Sequence, residues 1–343
     1  MNVLSVVLCK IGEALAMRLR PERVPAFIRW LPVLVLAASG LAQAQAWPTK
    51  TVRIIVPISA GGATDLLGRV LAQALQQASG QPFVVENKTG AAGAIGSAEV
   101  ARAAPDGYTL LIATTSTHSI APHVSSKLPY NVVNDFTPIA LLAEANNVLL
   151  MAPTLQFKNL GELLATAREK PGSIYYSSSG VGSWGHLSFE LFAAQAGVSL
   201  THVPYRGTSS SIADINQGTV HLALDAVVSG IPIVKSGRAK GLAVSGPRRT
   251  PLAPDIPTMG ETVAGFSVLS WFAVYGPKGM SPELARRINE EIIKVLSTPE
   301  MVAKFQGMGI EAGRMSPTEF AQYVTTDSAR WGRLVKERNI KLD

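Results

Sequence analysis

Cysteine is almost absent from this sequence: the 343 residues contain one, Cys9, close to the N-terminus. Because Cys9 lies in a stretch that we expect to be removed, the mature chain is predicted to have no disulfide, thiol nucleophile or thiolate metal site. Aromatic residues make up 6% and charged residues 16% of the chain. No cluster of lysine and arginine is interleaved with aromatic residues, so the sequence argues against nucleic-acid binding.

The spacings that metal and nucleotide sites require are missing as well. No glycine-rich loop is followed by the Lys-Ser/Thr pair of a nucleotide P-loop. None of the histidines stands in an H-E-x-x-H or similar pattern; they are His118, His123, His186, His202 and His221. We therefore expect neither a metal nor a cofactor.

Residues 1–46 have the pattern of a secretory signal peptide. A basic flank precedes the apolar residues 30–38, and small residues at 42–46 offer a cleavage site. The apolar stretch is shorter than the roughly 20 residues that a membrane span needs. Removal of residues 1–46 takes away five basic and two acidic groups and lowers the formal net charge from +7 to +4. We expect export to the periplasm, with Met1 or Met17 as the start.

A glycine loop between a predicted strand and a predicted helix is the first candidate site. Residues 56–67 are V-P-I-S-A-G-G-A-T-D-L-L. Loop amides and a helix N-terminus together favour a small anion, and we expect a carboxylate. The candidate donors to that anion are the amides of Gly61, Gly62, Ala63 and Thr64 and the hydroxyls of Ser59 and Thr64, with Asp65 in the first helical turn. The alternative is a plain turn whose glycines serve only geometry.

A second glycine loop, S-S-S-G-V-G-S-W-G-H-L at residues 177–187, also joins a strand to a helix. Its Gly180–Gly185 segment matches the dinucleotide pattern G-x-G-x-x-G, but no carboxylate follows about 20 residues later to hold a ribose. Arg206 in that region suits a 2′-phosphate instead, so an NAD(P)-dependent oxidoreductase stays as an alternative. We favour a second carboxylate loop.

Two further interpretations concern single side chains. Ser179, Ser183 and His186 are close in sequence, which keeps a secreted serine hydrolase as an alternative, although there is no G-x-S-x-G elbow. Asp225 ends an apolar strand, where it either faces a ligand cleft or caps the next helix.

Strands alternate with short helices along most of the chain, which predicts an α/β protein with parallel, doubly wound sheets. The pattern divides into two units, with crossings near residues 148 and 266. Three helices end the chain, and their starts are marked by Ser281-Pro282, Thr298-Pro299 and the capping box Ser316-Pro317-Thr318-Glu319. We expect these helices to pack on the first unit.

Several motifs in this order resemble one protein family. They are Pro57-x-x-x-Gly61-Gly62-x-x-Asp65, Asn87-x-x-Gly90-Ala91-Ala92-Gly93-x-x-Gly96, Pro105-Asp106-Gly107-Tyr108-Thr109-Leu110, Asp135-Phe136-Thr137-Pro138-Ile139, Gly180-x-Gly182-Ser183-x-x-His186-Leu187 and His202-Val203-Pro204-Tyr205-Arg206-Gly207. The whole mature chain resembles the Bug family, the extracytoplasmic solute receptors of tripartite tricarboxylate transporters. The combination is specific, although no single motif is.

The resemblance implies a two-lobed periplasmic-binding-protein fold of type II-like topology. Each lobe is then a doubly wound mixed or parallel sheet flanked by helices, with the ligand cleft between the lobes. We expect residues 47–148 plus 267–343 to form lobe 1 and residues 149–266 to form lobe 2.

The implied function is non-enzymatic: cleft closure over a small carboxylate for transport or sensing, partly through ordered water. The ligand-binding residues carried over are Ser59, Ala60, Gly61, Gly62 and Thr64 on one side and Ser179, Gly180, Gly182 and Ser183 on the other. We add Asp65 and Asp225 to this set. The expected partners are a membrane permease or a sensor kinase, and the protein is expected to be a monomer.

Overall fold

A computed structural model describes residues 47–205 and 208–341, without the side chains of Thr208 and Ser209. The predicted signal peptide and Arg206 lie outside the described residues. Within these ranges the strands form two sheets, one of six strands and one of five. No helix in the described part of the chain has both the length and the apolar character that a membrane span requires.

The first sheet contains the strands β1 (Val52–Val56), β2 (Phe83–Asn87), β3 (Thr109–Thr114), β4 (Phe136–Ala145), β10 (Ser270–Pro277) and β11 (Ile310–Ala312). Their order across the sheet is β11-β4-β10-β3-β1-β2. Strand β1 pairs in parallel with β2 and β3. Strand β10 is antiparallel to β3 and β4, and β11 is antiparallel to β4.

The second sheet contains β5 (Asn147–Met151), β6 (Tyr175–Ser178), β7 (Thr201–Pro204), β8 (Leu222–Ala226) and β9 (Lys240–Val244) in the order β7-β6-β8-β5-β9. Strand β6 is parallel to β7 and β8, whereas β5 is antiparallel to β8 and β9. Both sheets are therefore mixed rather than wholly parallel. Strand β5 is the first strand after the chain crosses to the second sheet, and β10 is the first after it returns to the first sheet. Each of these two strands is antiparallel to both of its neighbours.

The helices of the described residues are α1 (Ala63–Ser79), α2 (Ala94–Ala101), α3 (Ala121–Val124), α4 (Leu160–Glu169), α5 (Trp184–Ala196), α6 (Thr208–Gln217), α7 (Val227–Lys235), α8 (Pro282–Leu296), α9 (Pro299–Gly307) and α10 (Pro317–Glu337). A π-helical turn, Ser116–Ile120, lies between β3 and α3. The predicted caps of the last three helices are confirmed, because Ser281, Thr298 and Ser316 each accept a backbone hydrogen bond from the third helical residue.

Helix α10 packs against the cores of both sheets. Phe320 and Val324, in its first half, belong to the cluster that includes Ile55 and Leu111 of the first sheet. Trp331 and Leu334, in its second half, belong to the cluster built on the second sheet. Burying such a side chain contributes about 1.5–3 kcal/mol, so α10 stabilises both sheets and connects them.

The shorter crossing, from β4 to β5, passes through Asn146 and is held by side-chain amides. The Asn147 Nδ2 donates to the Ala145 carbonyl at 3.1 Å and to Ser270 Oγ at the start of β10 at 3.2 Å. The two chain crossings thus lie side by side and are hydrogen-bonded to each other.

Candidate functional site

The predicted site residues follow strands whose carboxyl ends meet at one edge of each sheet. In the first sheet, loop A (residues 57–62) follows β1 and loop C (residues 88–93) follows β2. In the second sheet, loop B (residues 179–183) follows β6, and Asp225 lies near the end of β8. Ligands of open α/β sheets bind outside the carboxyl ends of the strands.

A direct contact brings these two edges together. The Trp184 amide, at the start of α5, donates to Ser116 Oγ just beyond β3 at 3.0 Å. The Trp184 indole Nε1 donates to the Leu269 carbonyl, immediately before β10, at 3.1 Å. The helix that follows loop B is therefore anchored to the carboxyl edge of the first sheet.

Loop A is held by the Asp65 carboxylate. The Gly61 amide donates to Asp65 Oδ2 at 3.0 Å, and φ of Gly61 is +86°, a region that favours glycine. The Arg69 Nε donates to the same oxygen at 3.0 Å, while Asn87 Nδ2 donates to Asp65 Oδ1 and to the Ile58 carbonyl, each at 3.0 Å.

Asp65 is 4% exposed, and both of its oxygens are used inside the loop. Burial raises the pKa of this carboxyl, but the hydrogen bonds from Arg69, Gly61 and Asn87 outweigh it and place the pKa below its usual value. Asp65 is therefore a permanent anion at neutral pH. Its hydrogen bonds to Gly61 and Asn87 fix the conformation of loop A from its buried side.

The N-terminus of α1 has no side-chain cap. Gly62 occupies the N-cap position, where its missing side chain leaves the first-turn amides without the usual acceptor. Ser59, Ala60 and Gly61 are exposed in front of it, whereas Thr64 is buried. Loop A thus presents open backbone donors on its solvent side, as an anion site requires.

Loop B uses most of its own amides internally. The Gly180 amide donates to Ser178 Oγ at 3.1 Å, the Gly182 amide to His186 Nδ1 at 3.1 Å and the Ser183 amide to the Gly180 carbonyl at 3.2 Å. Ser183 is 3% exposed, and its hydroxyl caps α5. In loop B, Ser179 and Val181 are exposed and Gly180 is half-buried.

Two stacked imidazoles support loop B. The rings of His186 and His202 lie 4.1 Å apart, and His202 Nε2 is 2.7 Å from Ser178 Oγ. Burial lowers the pKa of His186, and burial together with the neighbouring His186 lowers the pKa of His202 to about 4. Both rings are therefore neutral at pH 7.

Asp225 is half-buried on β8 opposite Val148 of β5. Burial raises the pKa of its carboxyl to about 6, and hydrogen bonds from Ser229 and the Ala226 amide only partly offset this. These contacts lie at the start of α7, whose N-cap residue is Ala226. Asp225, one residue earlier, thus stabilises the N-terminus of this helix.

The geometry disfavours the catalytic alternatives. The Ser183 hydroxyl accepts from the His186 backbone amide at 3.4 Å, while the His186 ring accepts from Gly182, so the two side chains are not a nucleophile and its base. Over the described ranges no three His, Cys, Asp or Glu side chains are grouped as metal ligands.

Sequence reasoning missed the structure of loop C and of the turn beside it. Ala91 and Ala92 have φ of +46° and +53°, which alanine rarely adopts. A Cβ built on Gly93 would lie 2.7 Å from Thr117 Cγ2 and 3.4 Å from Pro57 Cβ, so loops A and C and the π-helical turn meet there. The glycines signalled a turn, but nothing in the sequence signalled left-handed alanines.

Two mixed sheets with adjoining carboxyl edges and paired chain crossings define the binding-protein fold of solute receptors, so the predicted fold class is confirmed. The family model of the tripartite tricarboxylate transporter family receptor, TctC, matches residues 67–340. The chain belongs to this family, and the predicted resemblance to Bug proteins is confirmed. It is a solute-binding receptor and not an enzyme.

Three solved structures are similar over most of the chain. R. palustris Rpa4515 with adipate is 34% identical, with a TM-score of 0.82 over 86% of this chain and 99% of that one. The periplasmic binding protein BugD is 29% identical, with a TM-score of 0.78 over 86% and 99%. MatC (Rpa3494) from Rhodopseudomonas palustris with bound malate is 30% identical, with a TM-score of 0.77 over 84% and 100%.

Proposed function

We propose that this receptor binds a small dicarboxylate between loops A and B. The observation that carries the proposal is the uncapped N-terminus of α1 beside the exposed residues of loop A, because open amides at a helix N-terminus favour a carboxylate. Hydrogen bonds to a charged acceptor contribute about 1.5–3 kcal/mol each. Two similar proteins hold adipate and malate, which are both dicarboxylates.

Within this proposal the predicted site residues divide into two groups. The residues that contact the ligand are Ser59, Ala60, Gly62 and Thr64 with Ser179. Gly61, Asp65, Gly180, Gly182 and Ser183 hold the two loops in shape, because their polar groups are already paired inside the protein. Asp225 lies at the same edge of the second sheet and influences the ligand through its charge.

The predicted lobes, residues 47–148 plus 267–343 and residues 149–266, move toward each other when the ligand binds. A ligand that contacts both loops favours the closed state by its extra affinity for that state. The adjoining crossings at Asn147 and Ser270 provide a short hinge.

The protein works in the periplasm as a monomer after removal of residues 1–46, and it delivers its ligand to a membrane permease or reports it to a sensor kinase. The signal-peptide pattern and the similarity to the periplasmic protein BugD support this location. The receptor family to which the chain belongs supports a transport partner.

Calorimetry on protein purified from the periplasm tests the dicarboxylate. We expect binding of adipate or malate and none of glucose or NADPH. Gly62→Asp places charge and bulk among the open amides and should abolish binding, while the fold survives because a Cβ there meets only ordinary contacts. Gly307→Asp, at an exposed position on α9, is the matched control and should bind normally. Unchanged binding by Gly62→Asp would contradict the assignment of loop A.

A further inference from the structure

Loops A and B contain the same type of hydrogen bond between a glycine amide and a side chain. In each, a glycine with positive φ lies just before the helix N-cap, and its amide donates to a side chain four residues later. In loop A the pair is Gly61 and Asp65, at 3.0 Å. In loop B it is Gly182 and His186, at 3.1 Å. The two acceptors differ in chemistry, since one is a carboxylate and the other an imidazole.

The hydrogen bond in loop B requires a neutral His186. Its Nδ1 accepts the Gly182 N–H, so that nitrogen carries a lone pair and the ring proton is on Nε2. A second proton would enter at Nδ1 and point at the Gly182 N–H. His186 is 8% exposed, so the ring has little room to turn away.

The titratable and charged groups around His186 come from β6, β7, α5 and the residue that follows α10. His202 on β7 is stacked on it at 4.1 Å, and Tyr176 on β6 lies 6.4 Å away between ring centroids. Glu190, on α5 itself, accepts from the Tyr176 hydroxyl at 3.0 Å and pairs with Arg338 beyond α10 at 3.0 Å. Glu190 raises the pKa of His186, but burial is the larger effect and lowers it.

His202 does not have the same sensitivity. The Ser178 hydroxyl uses its one proton to donate to the Gly180 carbonyl at 2.9 Å, and its oxygen accepts from the Gly180 amide. In its contact with His202 Nε2 the hydroxyl oxygen is therefore the acceptor and the ring nitrogen the donor. An imidazolium at position 202 still donates from Nε2. Acid therefore disrupts the support of loop B at His186 first.

We propose that His186 is a positioning residue whose neutral ring holds loop B in its binding shape, and that carboxylate affinity falls when this ring takes up a proton. The inference rests on the proposed function of loop B. Loop A has no such dependence near neutral pH, because Asp65 stays ionised. One side of the site thus loses its support as the pH falls through the pKa of His186, while the other keeps its shape.

The test compares malate or adipate binding by the wild type and by His186→Asn from pH 8 down to the lowest pH at which both proteins stay folded. The asparagine side chain keeps an amide oxygen as acceptor but does not titrate. We expect wild-type affinity to fall about three- to tenfold more than that of the variant over the pH interval in which His186 takes up its proton. Protonation of the ligand affects both proteins equally, so the difference between the two curves isolates His186.

His221→Asn is the matched control. The His221 Nδ1 also accepts a backbone N–H, from Tyr175 at 3.0 Å, but it lies at the opposite ends of β6 and β8. This variant should keep the wild-type pH profile. Parallel curves for wild type and His186→Asn, or an affinity that rises in acid, would overturn the proposal.

A readout without ligand separates this inference from the proposed function. In nuclear magnetic resonance spectra, the Gly182 amide of the wild type should shift with a midpoint below pH 6.5, and this titration should vanish in His186→Asn. The Gly61 amide should not titrate in that window. A Gly182 amide that does not titrate refutes the role of His186 even if no dicarboxylate binds, whereas a titrating amide without malate or adipate binding refutes only the proposed ligand.

Discussion

Ser116 Oγ accepts a hydrogen bond from the Trp184 amide at 3.0 Å, although the two residues are 68 positions apart. Ser116 belongs to the π-helical turn after β3 of the first sheet, and Trp184 begins the helix after loop B of the second. π-Helical turns are rare in proteins, and those that occur are often found at functional sites. Here the turn places a hydroxyl where it satisfies a helix N-terminus that belongs to the other sheet.

Removing this hydroxyl should destabilise the protein. In Ser116→Ala the amide of Trp184, a residue that is 7% exposed, loses its acceptor. An unsatisfied buried donor costs about 1–3 kcal/mol, so we expect calorimetric scanning to show a thermal midpoint lower by several degrees. Ser116→Thr keeps the oxygen and should stay within about one degree of the wild type. Equal midpoints for the alanine and wild-type proteins would contradict the importance of this contact.

Asp225 should make stability depend on pH. Its folded-state pKa of about 6 lies above the usual value of 3.8, so the folded protein binds this proton more tightly than the unfolded chain does. The contribution of this tighter proton binding to the free energy of unfolding is fully present below about pH 4 and is lost as pH rises through about 6.

Asp225→Asn removes the carboxylate that causes this loss. We expect chemical denaturation at pH 7.5 to find the ligand-free variant more stable than the wild type, by on the order of 1–3 kcal/mol, and to find little difference at pH 4. Asp255→Asn, at an exposed position, should change stability at neither pH. A variant that is destabilised at both pH values would show that the charge of Asp225 is compensated in the folded protein.

Gly313, just after β11, should not tolerate even alanine. A Cβ at this position would lie 2.1 Å from the Leu141 carbonyl oxygen on the neighbouring strand β4, and backbone cannot yield as a flexible side chain does. We expect Gly313→Ala to lower the free energy of unfolding by about 1–3 kcal/mol or more. Gly307→Ala meets no atom within 4 Å and should be neutral or slightly stabilising. Denaturant titration of the two variants side by side checks the difference.

Much of the local architecture could be predicted, because its signals are short-range. The starts of α8 and α9 were predicted from Ser281-Pro282 and Thr298-Pro299 and are confirmed. The capping box at Ser316 was identified from four consecutive residues. The positions of loops A and B followed from a strand, glycines and a helix start within about a dozen residues. Which of their residues contact the ligand stays a prediction.

The sequence did not predict which side chains hold loops A and B in shape. Asp65 and Asn87 are 22 residues apart, and their 3.0 Å contact depends on β1 and β2 lying next to each other. The stacking of His186 on His202 likewise depends on the pairing of β6 with β7. Residue spacing suggested Asp65 as a ligand and His186 as part of a hydrolase alternative, whereas in the structure both side chains accept a hydrogen bond from a glycine amide of their own loop.

The sequence by itself determined the α/β class, the two glycine loops and the helix caps, because each depends on backbone preferences and hydrogen bonds within a few residues. The tertiary structure decided which sheet each strand joins, that α10 packs on both cores and which loop amides stay open. Those outcomes depend on contacts such as Ser116 with Trp184, which form only when distant segments pack together. No local pattern specifies them, since the energy that selects them comes from burial and hydrogen bonding across the whole fold.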